Sequence, residues 1–140
     1  MTLQTKTHFV QSWIDQIWNK NQLDRLATFH PETFLNEGHT TTHEQIQSWH
    51  ERSRAVYPDL IYTVEEVVES ENHVTIRWSA TGTHQGSLWG FIPPTGKKIS
   101  WSGIHLVRIQ DNLIVEVWAS ANILTQLQQM GVNLQPDAAS

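Results

Sequence analysis

The spacing of apolar positions changes character at Pro58. Before it, hydrophobic residues recur every three or four positions; after it, they alternate. From about Leu3 to Asn19, the residues Phe9, Val10, Trp13, Ile14, Ile17 and Trp18 make one apolar stripe and predict a first helix. Asn19-Lys20-Asn21 interrupts it, with Asn21 placed to cap a short second helix, Gln22 to Phe29, whose Leu23, Leu26 and Ala27 are expected to face inward. His30-Pro31 ends that helix, because a residue before proline is pushed out of the α region. Phe34-Leu35-Asn36 predicts a short extended piece, and Glu37-Gly38-His39 with three threonines predicts a loop. Thr42 and Gln45 have capping-box spacing for a third helix, His43 to Val56, with Ile46, Trp49, Ser53 and Val56 on one side. Tyr57-Pro58-Asp59 stops it.

Beyond Pro58 the pattern predicts strands: Leu60 to Glu69, a turn at Ser70-Glu71-Asn72, then His73 to His84 with Val74, Ile76 and Trp78 alternating against Thr75, Arg77 and Ser79. Gly82, Gly86 and Gly90 loosen the next segment, and Pro93-Pro94-Thr95-Gly96 marks a turn. The stretch from Trp101 to Gly131 organises the rest. Ile99–Ile109 and Leu113–Ser120 read as the arms of a hairpin, and a short helix with Leu124, Leu127 and Gln128 follows, closed by Gly131. With Asp111-Asn112 as a two-residue loop, Ile109 opposes Ile114, Val107 opposes Glu116, His105 opposes Trp118 and Gly103 opposes Ser120. That register gathers Trp101, His105, Glu116 and Trp118 on one face, and Ile104, Leu106, Val115 and Val117 on the other. Helices followed by antiparallel strands give an α+β fold: a curved antiparallel sheet packed on the N-terminal helices, leaving a conical cavity between them. The apolar outer face would need a cover, and a second copy of the chain is the simplest one.

Composition narrows the class. The 140 residues suit one domain, expected over 1–134 with a loose tail at 135–140. A net charge of −5 offers no basic patch for nucleic acid. The absence of cysteine excludes thiolate chemistry and disulfides. The N-terminal stretch lacks a signal-peptide core and no apolar run approaches a membrane span, so a cytoplasmic protein without membrane partners is expected. Seven tryptophans are many for this length; indoles fill cores and also line ligand pockets.

Tyr57-Pro58-Asp59-Leu60, Gly82-Thr83-His84-Gln85-Gly86, Pro93-Pro94-Thr95-Gly96-Lys97, Glu116-Val117-Trp118 and Leu127-Gln128-Gln129-Met130-Gly131 form an ordered series. Together they resemble the SnoaL-like polyketide cyclase (ester cyclase) family of the nuclear-transport-factor-2-like superfamily, from Phe9 to Gly131. The resemblance implies a cone-shaped α+β fold, a deep pocket, a dimer or tetramer, and cofactor-free, metal-free aldol ring closure. In the family's cyclases an Asp four residues after the tryptophan of the last strand is the acid/base. Trp118 matches that tryptophan, and Asn122 stands where the Asp would be. An amide cannot take a proton from carbon, although it can hydrogen-bond a carbonyl.

The candidate catalytic set is His105, Glu116 and Asn122. His105 is either a general base or a core histidine satisfied by one hydrogen bond. Glu116 either orients it or is a solvated strand residue. Asn122 would hold an oxygen. Trp13, Asn36, Trp49, Trp78, His84, Trp89, Trp101 and Trp118 are the expected substrate contacts, with Trp89-Gly90-Phe91 as a rim; His84 also reads as structural, bonded within its glycine-rich loop. Asn36, His39 and His43 cluster where the pocket mouth is expected, but no His-Glu-x-x-His or comparable ligand spacing exists, so neither metal nor cofactor is expected. Arg77 is either an inward ion pair with Glu65 or Glu116, or an interface residue. The leading expectation is a homodimer acting on a small hydrophobic carbonyl compound by proton transfer. The competing readings are a non-catalytic module binding such a ligand, and a structural domain whose indoles leave no cavity.

Overall fold

A computed structural model of the chain describes residues 5–133. The first helix, α1 (Lys6–Trp13), begins at Thr5, whose hydroxyl accepts the His8 N–H. It does not run on as an α-helix to Asn19. From Ile14 to Asn19 the backbone widens into π geometry, with the Lys20 N–H bonding the Asp15 carbonyl at 2.9 Å. In an α-helix, residues five apart point in different directions; i→i+5 bonding brings them closer to one face. Trp13 and Trp18 are thereby both buried, in edge-to-face contact at 5.2 Å.

The second helix is a 3₁₀ turn, Leu23–Arg25, running into α2 (Leu26–Phe29). Asn21 does not cap it: Asn21 takes a left-handed φ of 55° and the helix start has no side-chain cap. Leu26 and Phe29 are buried, while Ala27 is exposed. His30 is extended, as the following proline demands. The expected extended piece is β1 (Thr33–Asn36), and the segment expected as a loop folds back on it as β2 (His39–Thr42) to make a hairpin. Glu37 and Gly38 at φ 52° and 79° supply its tight turn, and the β-branched threonines favour the second strand.

Helix α3 (His43–Val56) starts with the full Thr42–Gln45 capping box. Strands β3 (Ile61–Glu69), β4 (His73–Thr83), β5 (Lys98–Gln110) and β6 (Leu113–Ala121) follow, then α4 (Ile123–Gln129), after which Gly131 turns the chain at φ 85°. The six strands lie in the order β2-β1-β6-β5-β4-β3. All pairs are antiparallel except β1 with β6, which run parallel, so the sheet is mixed rather than antiparallel throughout. The expected tail, 135–140, lies outside the described residues.

One register differs, and it decides the site. Asp111 and Asn112 form the expected two-residue turn with φ 53° and 62°, and Ile109 does oppose Ile114. A bulge between Arg108 and Ile109 then shifts the pairing by one. Arg108 faces Glu116, Val107 faces Val117, Leu106 faces Trp118, and His105 faces Ala119. The shift turns Val117 inward, where it is buried beside the core face of β5, and sends Glu116 and Trp118 outward with Ile104 and Leu106. The face shared by His105 and Trp101 therefore carries neither Glu116 nor Trp118.

Candidate functional site

A cavity of about 690 Å³ lies between the inner face of the sheet and the helices. This is within the size range of small-molecule sites. Its floor is aromatic: Trp13 from the end of α1, Trp18 from the π turn, Trp78 and Trp101 from β4 and β5, and Tyr62 from β3. Trp49 and Trp89 stand toward the opening, 39% and 56% exposed. Trp89 and Gly90 take left-handed φ values of 55° and 76°, between the paired Leu88 and Ile92. Leu88 and Ile92 are buried, so the turn is tethered while Trp89 and Phe91 project outward.

Among the sequence candidates, Trp13, Asn36, Trp49, Trp78, Trp89, Trp101 and His105 line this cavity. Four do not. Glu116 accepts a hydrogen bond from the Arg108 guanidinium at 3.0 Å on the outer face, and that bond holds its carboxyl below the usual range. Trp118 is 43% exposed on the same face. Asn122 is exposed at the start of α4, where its Oδ1 accepts the Thr125 N–H at 3.1 Å. His84 is fully buried in its own loop, its Nδ1 accepting the Thr95 N–H at 3.2 Å. The expected His105–Glu116 pair does not form. Of the mouth cluster, His43 donates from Nε2 to the Pro31 carbonyl at 2.8 Å and does not line the cavity. Arg77 pairs with Glu66 at 3.2 Å, both well exposed, rather than with Glu65 or Glu116.

His105 is held by one contact with chemical consequences. The Trp78 indole N–H donates to its Nδ1 at 2.7 Å. An indole nitrogen can only donate, so Nδ1 must carry the lone pair and the neutral ring must carry its proton on Nε2. Burial pushes the imidazole down to about 4, so the neutral form prevails near pH 7. The Trp18 ring meets it edge-on at 4.7 Å. In this tautomer His105 offers a hydrogen-bond donor at Nε2, which differs from the resting general base expected from sequence.

Two further histidines line the cavity. His30, 2% exposed, stacks on Phe34 at 3.9 Å and 15°. Its Nδ1 lies 3.0 Å from the Ile114 carbonyl oxygen. A carbonyl can only accept, so His30 is protonated on Nδ1 and keeps its lone pair on Nε2. Burial lowers it to about 4, against a smaller opposing effect of that carbonyl bond. His50 on α3 packs edge-on against Trp18 and Trp49 at 5.4 and 5.0 Å. Burial first, then the charges of Arg54, His30 and His105, bring it to about 3. On the sequence, His30 reads as the residue that stops α2, and its packing on Phe34 has no sequence signal. His50 did have one: it lies four residues after Ile46, on the inward side of α3.

The rest of the wall is sparingly polar. Tyr57 donates to Gln126 Oε1 at 2.7 Å, tying the end of α3 to α4 on the cavity wall. Glu37, the one carboxylate on the wall among the described residues, is exposed, and its Oε1 accepts the Ala119 N–H. Among the described residues, no three histidine or acidic side chains are grouped to hold a metal ion. No helix among them is long and apolar enough to cross a membrane.

The family model for SnoaL-like polyketide cyclase matches residues 8–130. Among solved structures, a putative polyketide cyclase from Acidithiobacillus ferrooxidans superposes with a TM-score of 0.80 at 19% identity, covering 94% of this chain and 98% of its own. IdmH, a putative polyketide cyclase from Streptomyces antibioticus, gives 0.79 at 24% identity over 91% and 100%. AclR, a putative hydroxylase from Streptomyces galilaeus, gives 0.76 at 25% identity over 89% and 94%. No protein of curated function matches the chain.

Proposed function

Because the chain belongs to the SnoaL-like polyketide cyclase family, we propose that it carries out cofactor-independent acid/base chemistry on a small hydrophobic carbonyl compound held in the cavity. The observation that carries this reading is His105, a neutral imidazole on an apolar wall whose tautomer is set by the Trp78 indole. A donor fixed in this way, in a site of low dielectric, stabilises charge as it develops on a carbonyl oxygen and needs no reorganisation to do so. The surrounding indoles would hold a planar or polycyclic substrate and limit its motion, which also contributes to rate. Asn122 stands where the family's cyclases have the carboxylate; on this reading its role is to cap α4.

The protein would act as a cytoplasmic homodimer. Leu106 and Trp118 oppose each other on the outer face of the sheet, 39% and 43% exposed, with Ile104 beside them at 49%. A second copy laid against that face would cover them.

Deuterium wash-in to 2-tetralone, a bicyclic ketone with acidic α-hydrogens, tests the chemistry by NMR. The wild-type protein should show saturable exchange in D2O. His105→Phe should lower kcat by about 10²-fold to 10³-fold, the loss typical of removing one oxyanion donor. Affinity, read from quenching of tryptophan fluorescence, should change only a few-fold. Equal loss of affinity and exchange, or loss of neither, would remove His105 from the reaction.

A further inference from the structure

We propose that His30 is the proton-abstracting base of this site, working opposite His105 as the donor. This rests on the acid/base reading above and deepens it, because that reading leaves the base unassigned. The two histidines hold opposed tautomers. The Ile114 carbonyl forces the proton of His30 onto Nδ1 and leaves Nε2 with a lone pair. The Trp78 indole forces the proton of His105 onto Nε2. Both rings line the same cavity and both meet the Trp13 indole edge-on, at 5.7 Å for His30 and 6.2 Å for His105. Neither Nε2 has a hydrogen-bond partner among the described residues, so one lone pair and one N–H remain for a ligand.

The other candidates for base are less well placed. Asn122 is an amide outside the cavity wall, and Glu116 is on the far face of the sheet. Glu37 is solvent-exposed with one oxygen occupied by the Ala119 N–H. His50 has no hydrogen bond that fixes its tautomer among the described residues.

The step balances within the site. His30 Nε2 takes the α-proton, the C–H electron pair becomes the enolate double bond, and the carbonyl π pair moves to oxygen. The His105 N–H holds that oxygen. The new imidazolium lies against the face of Phe34, which offsets part of the cost that burial puts on the charge. The proton then returns from His30 to carbon, or, in a ring closure, to the alkoxide formed when the enolate carbon attacks a second carbonyl.

The test uses 2-tetralone exchange with three variants whose folding is checked by near-UV circular dichroism. His30→Asn keeps a side-chain N–H for the Ile114 carbonyl and removes the base. It should slow exchange by about 10²-fold to 10⁴-fold with ketone affinity retained. His105→Gln keeps an N–H near the Nε2 position and should lose far less than His105→Phe. Exchange that survives in His30→Asn and vanishes in His105→Gln, or that is lost in Glu37→Gln instead, overturns the assignment. Wild-type protein that binds 2-tetralone without exchanging it refutes the acid/base reading itself. Long-range ¹H–¹⁵N correlation of the wild-type histidines supplies a check independent of any variant. It should show His30 protonated on Nδ1 and His105 on Nε2, and the reverse at either ring overturns the proposal.

Discussion

Replacing Trp78 with Phe separates the indole N–H from the rest of the ring. Trp78 is 4% exposed, its Nε1 lies 2.7 Å from His105 Nδ1, and its six-membered ring lies over Gly103. Phenylalanine keeps an aromatic ring against Tyr62, which meets Trp78 edge-on at 5.1 Å. Stranding the buried His105 Nδ1 without a donor costs about 1–3 kcal/mol. The volume lost from the indole adds roughly 1 kcal/mol. A total loss of about 2–4 kcal/mol should lower Tm by about 6–12 °C for a chain of this size. The functional effect is more specific. Without its donor, His105 is free to carry the proton on either nitrogen, so the Nε2–H form is depleted and exchange of 2-tetralone slows. Circular dichroism melts measure the first effect, and ¹⁵N histidine spectra with wash-in rates measure the second. If His105 stays protonated on Nε2 and stability falls by less than about 0.5 kcal/mol, the Trp78–His105 bond neither sets the tautomer nor holds the core together.

Acid should destabilise the protein through its buried histidines. His30, His50 and His105 are pushed down to about 4, about 3 and about 4, against 6.5 for a free histidine. Their contribution is complete above pH 6.5 and is lost as pH falls toward 4, because the unfolded chain binds protons that the folded one refuses. Each histidine should add on the order of 1 kcal/mol per pH unit to that slope between the two values. Urea titrations from pH 7 to pH 4.5 check this, and a flat profile would mean the rings are solvated. Gly86→Ala should be severe: an added Cβ would sit 2.0 Å from the Ala55 carbonyl oxygen at the end of α3, a backbone atom that cannot move away. A loss of about 3 kcal/mol is expected in denaturant unfolding, and wild-type stability would show that α3 and this loop are not so close.

Much of the frame was legible because local chemistry and tertiary packing agree. The bounds of α3 follow from Thr42, Gln45 and Pro58, and the Asp111-Asn112 turn follows from two residues that tolerate left-handed backbone. The π turn was not legible, since the same apolar spacing satisfies an α-helix. It is the burial of both Trp13 and Trp18 that selects the wider form. The bulge beside Arg108 was hidden for a related reason. An unbroken ladder from the Asp111-Asn112 turn would put Glu116 inward and both flanking valines outward, and only the packing of Val117 against β1 and the core selects the bulged register. The place of His105 on the inner face was legible because it alternates with core residues of β5. The place of His30 on the cavity wall was not legible because its partner, the Ile114 carbonyl, lies 84 positions away in sequence.

A crystal structure with 2-naphthol, a planar mimic of the enol of 2-tetralone, would show whether His105 Nε2 donates to a ligand oxygen in the cavity. The bicyclic ring should seat among Trp13, Trp78 and Trp101, with its oxygen within hydrogen-bond distance of His105 Nε2. A 2-naphthol molecule bound elsewhere, or in the cavity with its oxygen turned away from His105 toward solvent, would contradict it.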